Sequence, residues 1–400
     1  MVRALIRRRR ALDPSARLQA VNDLPQEPVS CVALLEAASD PSLDVARAAL
    51  ARLSKLGGER EAAALRARLL SVDLGVVPAY ATTLRVLADL EAAGVARRGL
   101  TDPSPTVRIA AALALRELRD PASRRGLLLA VGDPISGVRR FALDAVAQLG
   151  PDLETEDVCG AALHDPDAEV RAAAVRALAH VASDAEGRLA DVRDDPAPRV
   201  RHELARLSPR LGDALVRSIV LGDSDPDVRA EAVWRLVATP RPSLLDTERA
   251  AADDPDWHVR WAACRALGAT RDERARDRLV SSLVDPHETV RAAAARALAE
   301  IFGERLVAIL AGELGRPEPA VRRALVYRLA ELGGAAAVAS IAALAGDASP
   351  EVREAVVHGL AQTHTVGSVP VLERLTQDEN RDVRAVAGAA LDRMRGARGG

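Results

Sequence analysis

The sequence predicts an all-α solenoid built from stacked helix pairs. Three observations support this class: a Val-Arg pair recurs at a nearly constant interval, apolar residues follow each pair at helical spacing, and aromatic residues make up only 2% of the chain. Successive valines of the pair lie 28 to 32 residues apart, and 31 apart in six of nine intervals. A fixed period in this range is typical of stacked repeats. The valines are Val107, Val138, Val170, Val200, Val228, Val259, Val290, Val321, Val352 and Val383.

One copy of the repeat, HDPDAEVRAAAVRALAH at residues 164–180, shows how each unit is expected to fold. Asp165 is predicted to cap a helix and Pro166 to occupy its first turn, where a missing N–H costs nothing. The apolar residues that follow at helical spacing are Val170, Ala173, Ala174, Ala177 and Leu178. A helix this short is marginal alone in water. The apolar stripe is therefore predicted to pack against the first helix of its own unit and against both neighbouring units.

An arginine follows each valine of the pair, and an aspartate precedes most of these valines by five residues. Because an arginine fork matches a carboxylate, we expect an Asp–Arg ladder between adjacent repeats rather than a column of ligand-binding arginines. The arginines are Arg108, Arg139, Arg171, Arg201, Arg229, Arg260, Arg291, Arg322, Arg353 and Arg384. The aspartates are Asp102, Asp133, Asp165, Asp195, Asp223, Asp254, Asp285, Asp347 and Asp378.

The repeats are expected to form one continuous solenoid over residues 1–400. Residues 1–30 read as a shortened N-terminal capping unit, with amphipathic helices over 2–12 and from Asp13 onward. About twelve repeats follow over 31–395. The copy at 71–87 lacks the Val-Arg pair, and Pro78 is predicted to delay its helix. Prolines accumulate over 183–257, where a bend is expected, and residues 396–400 are expected to be a disordered tail.

Composition narrows the class of partner. The net charge is −2 with 28% charged residues, so nothing draws the whole chain toward nucleic acid or membrane. The basic run at residues 7–10 reads either as a polyanion patch or as the solvated face of a capping helix. Cys31, Cys159 and Cys264 are far apart and form no CxxC, which favours a reducing compartment. With no apolar run long enough for a membrane span or a signal peptide, the expected location is the cytoplasm.

The sharpest feature outside the core is a set of arginines and aromatic residues two and six positions after the valines. These positions lie opposite the core stripe, and second helices line the concave side of such solenoids. The set is Arg140, Arg176, His202, Arg206, Trp234, Trp261, Arg265, Arg296, Arg323, Tyr327 and His358. Asp144 and Glu354 interrupt the positive charge.

Three interpretations of this set stay open. Trp, Tyr and Arg dominate the energetics of protein interfaces, so a protein-partner groove is the leading hypothesis. Arginine and aromatic planes also suit phosphates and stacked bases, which makes nucleic acid or another polyanion the alternative. The set could also be solvated surface. Trp257 and His258, just before a valine of the pair, are expected to cover the core edge of the neighbouring unit.

No catalytic or metal motif accompanies the repeat. The histidines show no HExxH or other metal spacing, and no GxSxG, Gly-rich phosphate loop or Cys–His pairing occurs. Acid pairs such as Asp194-Asp195 precede prolines and read as helix caps. The sequence therefore predicts a non-enzyme with no cofactor and no metal.

The D-P-x-x-x-V-R opening, the Ala-rich second helix and the period near 31 resemble HEAT repeats, and are most similar to the short HEAT-like class of phycobilin lyase subunits. The resemblance covers nearly the whole chain. It implies antiparallel helix pairs in a right-handed superhelix, and it implies a scaffold or adaptor that binds a protein partner.

Three enzymatic relatives of that class supply a less favoured reading. Nothing beyond the repeat supports a bilin lyase. Deoxyhypusine hydroxylases carry several His-Glu dyads that ligate iron, whereas this chain offers only His202-Glu203 and His287-Glu288, the latter in a turn. HEAT-like DNA glycosylases use a concave face with tryptophans, arginines and an acid, but no catalytic carboxylate can be matched here.

Overall fold

The computed structural model describes residues 13–363 and 365–396, and none of these residues lies in a β-strand. The α-helices are α1 (Pro14–Asn22), α2 (Cys31–Ala37), α3 (Leu43–Leu56), α4 (Glu59–Arg66), α5 (Val77–Val86), α6 (Ala92–Gly99), α7 (Pro105–Leu118), α8 (Arg124–Ala130), α9 (Ser136–Val146), α10 (Leu153–Ala161), α11 (Ala168–Val181), α12 (Ala185–Leu189), α13 (Pro198–Arg206), α14 (Asp213–Gly222), α15 (Pro226–Ala238), α16 (Leu245–Ala251), α17 (Trp257–Thr270), α18 (Arg276–Ser282), α19 (Glu288–Phe302), α20 (Leu306–Gly312), α21 (Pro319–Leu332), α22 (Gly334–Ala343), α23 (Pro350–Gln362), α24 (Val369–Leu375) and α25 (Arg381–Gly396).

Short 3₁₀ turns connect or extend many of these helices. They lie at Pro28–Ser30, Pro121–Ser123, Ala147–Leu149, Ala162–His164, Ala190–Asp194, Ser208–Arg210, Pro242–Leu244, Glu273–Ala275, Gly303–Arg305, Leu344–Gly346 and Val366–Ser368. In the described part of the chain, no helix is long and apolar enough to cross a bilayer.

The chain divides into two compact units, Met1–Leu204 and Ala205–Gly400. Within both units, each repeat consists of a short first helix followed by a longer second helix, as the period predicts. The predicted all-α solenoid architecture is confirmed. In the first unit the second helices α5, α7, α9 and α11 pack in succession. In the second unit α15 packs on α17 and α17 on α19, while α21 packs on α23 and α23 on α25. The boundary at 204/205 falls inside the stretch 183–257, and a single continuous solenoid with a bend there stays a prediction.

Burial follows the predicted stripe and extends beyond it. Val170, Ala173, Ala174, Ala177 and Leu178 are all at most 1% exposed. The neighbouring Ala172 and Val175 are also fully buried, because α11 packs against its own first helix on one side and α9 on another.

Small side chains let these helices approach closely. At Gly268 of α17, a Cβ atom would lie 2.9 Å from the Cα of Ala297 in α19. Cohesion in such a contact comes from many short van der Waals contacts rather than from large anchoring side chains.

The prediction that Asp165 caps the second helix and that Pro166 fills its first turn is wrong. Helix α11 begins at Ala168, and the capping residue is Asp167, whose carboxylate accepts from the Glu169 N–H at 2.8 Å. Asp165 instead accepts from the Asp167 N–H at 2.9 Å in the turn that precedes the helix. Its carboxylate is also held by Arg139 of the preceding repeat. The D-P pair therefore builds the turn, and the helix starts two residues later.

The expected Asp–Arg ladder is present. In each rung the arginine Nε and Nη2 donate to the two carboxylate oxygens of the aspartate in the next repeat, and Nη1 donates to a backbone carbonyl of the arginine's own turn. For Arg139 these distances are 2.7 Å and 2.8 Å to Asp165, and 2.9 Å to the Asp133 carbonyl. The rungs join Arg108 to Asp133, Arg139 to Asp165, Arg171 to Asp195, Arg229 to Asp254, Arg260 to Asp285, Arg322 to Asp347 and Arg353 to Asp378.

The irregular copy and the chain ends follow the sequence in part. Helix α5 begins at Val77 with Pro78 in its first turn, which confirms the predicted late start. Helix α1 is capped by Asp13, as expected for the second helix of the capping unit. The predicted helix over 2–12, the basic run at 7–10 and residues 397–400 lie outside the described residues, and Gly396 ends α25.

Candidate functional site

The eleven candidate residues lie on second helices, and each is exposed or half-buried. We refer to them as the second-helix surface. In the first unit it consists of Arg140 on α9, Arg176 on α11 and His202 on α13. In the second unit it consists of Arg206 at the end of α13, Trp234 on α15, Trp261 and Arg265 on α17, Arg296 on α19, Arg323 and Tyr327 on α21, and His358 on α23.

Trp234 and Trp261 stack on each other. Their ring centroids are 5.0 Å apart and the ring planes differ by 14°. Trp234 is six residues after Val228, and Trp261 is two residues after Val259. Because helices α15 and α17 pack side by side, these two positions lie next to each other. Trp234 remains 38% exposed. The stack therefore presents a partly exposed aromatic surface to solvent.

Arg265, four residues after Trp261 on α17, and Arg296 on the neighbouring helix α19 share one carboxylate. Arg265 Nη1 lies 3.3 Å from Glu300 Oε1, and Arg296 Nε lies 2.8 Å from the same oxygen. Burial acts to raise the pKa of Glu300, but the hydrogen bonds from Arg296 and Arg265 hold that pKa below its ordinary value. Glu300 is consequently ionised at neutral pH and fixes both guanidinium groups beside the tryptophans.

Three other arginines and one histidine of the surface also lie near acids. Arg176 lies between Asp144 at 3.1 Å and Glu203 at 3.2 Å, and Arg140 lies 3.4 Å from Glu169. Arg206 approaches Glu231 at 3.9 Å, and His358 approaches Glu354 at 3.6 Å. In both units, arginines of the second-helix surface are thus paired with acids.

Arg323 and Tyr327 line a cavity of about 490 Å³ between α19 and α21. Tyr327 is 39% exposed. The cavity is also lined by Asp285, Arg291, Arg328 and Glu331. Arg328 and Glu331 form an ion pair with each other, whereas Arg323 has no acidic partner within salt-bridge distance among the described residues.

In each His-Glu dyad one residue already contacts another side chain: Glu203 pairs with Arg176, and His287 contacts Trp257. His287 stacks on Trp257, with ring centroids 3.8 Å apart, and its Nδ1 is 2.7 Å from the Thr289 hydroxyl. Trp257 therefore contacts the turn of the next repeat, and the expectation that Trp257 and His258 cover the core edge of that repeat stays a prediction. His202 is half-buried on α13. Across residues 13–363 and 365–396, no group of three or more His, Cys, Asp or Glu side chains is placed to hold a metal ion.

The three cysteines are buried free thiols. Burial raises the pKa of Cys159 to about 12 and that of Cys264 to about 11. Because the thiolate is the nucleophile, neither sulfur is prepared for covalent chemistry.

A family model of HEAT repeats matches residues 96–179, 214–299 and 304–392. The chain belongs to the HEAT-repeat family. The matched segments hold the regular Val-Arg repeats, the ladder, and most of the second-helix surface.

Solved structures with the same fold include importin beta, which is 13% identical to this chain with a TM-score of 0.50. That likeness covers 97% of this chain and 66% of importin beta, so the chain spans less than two thirds of the importin. Kap95p, solved with RanGDP, is 13% identical with a TM-score of 0.39 over 97% of this chain and 57% of its own. Human deoxyhypusine hydroxylase is 24% identical with a TM-score of 0.26 over 60% of this chain and 96% of its own. A search of curated proteins gives no match.

Sequence reasoning on this HEAT array placed the arginines and tryptophans off the core but missed their acidic partners. Glu169, Glu203 and Glu300 lie at different offsets from the Val-Arg pair, so reading a single offset along the chain passes over them. A count of acids within reach of both neighbouring second helices would have found them.

Proposed function

We propose that this HEAT-repeat protein is a non-enzymatic scaffold that binds a protein partner through the second-helix surface, which we place on a concave face. The binding centre is the stack of Trp234 and Trp261, with Arg265 and Arg296 beside it. The observation that carries the proposal is that two stacked tryptophans, one of them 38% exposed, lie outside the core.

Exposed aromatic planes beside fixed arginines suit a protein interface. Trp, Tyr and Arg dominate the binding free energy of such interfaces, and they do so as clusters near the centre of the contact. Glu300 already holds Arg265 and Arg296 in place. Less side-chain entropy is therefore lost when a partner binds them.

The charge pairing favours a protein over a polyanion. Arg140, Arg176, Arg265 and Arg296 each have a carboxylate within 3.4 Å. A phosphate backbone would have to displace these acids or meet them, and the whole chain carries a net charge of −2. A cytoplasmic location fits the same proposal, because the three cysteines are buried free thiols.

The test replaces both stacked tryptophans with alanine. Wild type and the W234A/W261A variant are each used to capture partners from native cytosol, and the dissociation constant of the recovered protein is then measured. Loss of two hot-spot side chains is expected to weaken binding by about 2 kcal/mol or more, at least about 30-fold, with little change in melting temperature.

Trp257→Ala is the matched control, because Trp257 stacks on a turn and not on the second-helix surface. The Trp257→Ala variant should bind the partner with the wild-type dissociation constant. Unchanged affinity in W234A/W261A would contradict the proposal, and so would unfolding of that variant, since the tryptophans would then serve the core.

A further inference from the structure

The ladder is interrupted once in the second unit. In the rungs of that unit the arginine and its aspartate are 25 residues apart, as for Arg322 and Asp347. The residue 25 positions after Arg291 is Arg316, so an arginine stands where every intact rung has an aspartate.

The turn at Arg316 keeps the geometry of the other turns without their carboxylate. Its carbonyl accepts from Arg322 Nη1 at 2.7 Å, just as the Asp347 carbonyl accepts from Arg353 Nη1 at 2.8 Å. The Arg316 side chain pairs with Glu313 at 2.7 Å and with Asp277 at 3.2 Å. Neither Arg316 nor those acids lines the cavity between α19 and α21.

Arg291 therefore makes only the backbone half of the hydrogen bonds of an intact rung. Its Nη1 donates to the carbonyls of Asp285 at 2.7 Å and Pro286 at 3.0 Å, which fixes the guanidinium as in an intact rung. No carboxylate of the described residues lies within salt-bridge distance of the Nε and Nη2 atoms that elsewhere hold the aspartate.

We call the place of the missing aspartate beside Arg291 the vacant position. It opens into the cavity of about 490 Å³, which Arg291 lines. Helices α19 and α21 make only marginal contact, whereas the other neighbouring second helices of this unit pack closely. Of the charged groups that line the cavity, Asp285 is held by Arg260, and Arg328 is paired with Glu331. Arg291 and Arg323 make no close ion pair with an acid of the described residues, although Glu351 attracts Arg323 at longer range, and the exposed phenol of Tyr327 lines the same cavity.

We propose that this cavity binds a carboxylate from an acidic segment of the protein partner, which takes the place of the missing ladder aspartate. The proposal rests on the scaffold function above and deepens it. A guanidinium held by its Nη1 presents Nε–H and Nη2–H as a fork that donates two parallel hydrogen bonds to a carboxylate. The volume is that of a small-molecule pocket, so it admits an aspartate or glutamate side chain together with neighbouring backbone. Arg323 and Tyr327 belong to the second-helix surface, so an acidic segment that reaches the cavity would extend along the same surface as the tryptophan stack.

The test uses a fluorescein-labelled peptide of alternating Asp and Gly, with an Asn-Gly peptide as its neutral counterpart. Wild type is expected to bind the Asp peptide and not the Asn peptide. Arg291→Gln should lower the affinity for the Asp peptide at least tenfold. Arg316→Asp should abolish binding and raise the melting temperature, because the chain then supplies its own rung. Arg108→Gln is the control: it breaks an intact rung in the other unit, so it should lower the melting temperature and leave peptide binding unchanged.

Equal affinity of wild type and Arg291→Gln for the Asp peptide would overturn the proposal, as would equal binding of both peptides. Inorganic phosphate, at matched ionic strength, separates the two anion sources. Displacement of the peptide by phosphate more effectively than by acetate would make this a phosphate site and overturn the carboxylate assignment.

The W234A/W261A variant separates this proposal from the scaffold function. If it loses the partner but keeps the Asp peptide, both proposals stand. If Arg291→Gln keeps full affinity for the partner while W234A/W261A loses it, the scaffold function stands and the carboxylate site fails.

Discussion

Glu248, in the short first helix α16, is a fully buried acid whose two carboxylate oxygens accept no hydrogen bond. Burial alone raises the pKa of this carboxyl to about 8. The buried Glu156, by contrast, accepts from the Ser183 N–H at 3.3 Å and pairs with Arg188. Glu248 therefore remains protonated at neutral pH, since an isolated carboxylate in an apolar site is very costly.

A pH dependence of stability follows from Glu248. Between about pH 4.5, the ordinary pKa, and pH 8 the folded chain keeps a proton that the unfolded chain releases. The free energy of unfolding should therefore fall as pH rises through this window, by up to about 1.4 kcal/mol per pH unit from this group. Urea unfolding from pH 5 to pH 8 should show this fall in wild type relative to Glu248→Gln. The exposed Glu304 supplies the control, because Glu304→Gln should keep the wild-type slope; a slope unchanged in Glu248→Gln would mean that Glu248 is ionised when buried.

Nothing in the sequence indicates that Glu248 is buried. Its segment, LDTERAA, has the composition of a solvent-exposed helix. Which residues of a short first helix are buried depends on how that helix is rotated about its axis relative to the neighbouring repeats. The spacing of the Val-Arg pairs carries no information on that rotation.

At the scale of the helix pair, the ladder joins one second helix to the turn before the next. The hydrogen bond from Arg322, opposed by burial, holds the pKa of Asp347 below its ordinary value. The two side chains are 12% and 6% exposed, so the pair is shielded from water. This rung and its equivalents therefore tie each second helix to the next repeat by a shielded charge pair, in addition to the apolar contacts between the helices.

Rungs and the vacant position can be compared within the second unit. Arg322→Gln leaves the carboxylate of Asp347 buried without its partner, and a loss of about 1–3 kcal/mol in the free energy of unfolding is expected. Arg291→Gln removes only hydrogen bonds to two carbonyls and should cost less. Chemical denaturation of the two variants measures the difference. Equal losses would show that the carboxylate contributes nothing beyond the backbone contacts that both arginines make.

Element positions could be predicted from sequence much better than element starts. The period and the stripe from Val170 to Leu178 predicted the second helices and their buried side. The same sequence placed the cap on Asp165 and not on Asp167, because both aspartates satisfy the local preference for a capping residue. Arg139, 26 residues earlier, decides between them by holding Asp165 in the turn. Such a choice depends on the neighbouring repeat and not on local preference.

Over the whole molecule, positive and negative charges nearly cancel, with 55 Lys and Arg against 57 Asp and Glu. The pairs on the second-helix surface show that this balance is also local. The composition could therefore predict the overall charge balance, whereas the arrangement of pairs required the structure.

Duplex DNA provides the measurement at this scale. We expect no binding at low salt, because all arginines of the second-helix surface except Arg323 are already near carboxylates. Fluorescence anisotropy with a labelled duplex measures this directly. Binding whose log K falls with log salt at about −0.9 per phosphate contacted would favour the polyanion alternative over a protein partner.

The ladder also determines how this protein could be lengthened or shortened. In each intact rung the carboxylate is bound by the repeat before it, so removal of one full period from an intact stretch of the ladder exposes a guanidinium at one new end and a carboxylate at the other. Those ends match, and joining them restores the bond. Deletion or duplication in whole periods within such a stretch therefore conserves its cross-links, whereas a change of any other length leaves an arginine and an aspartate without their partners.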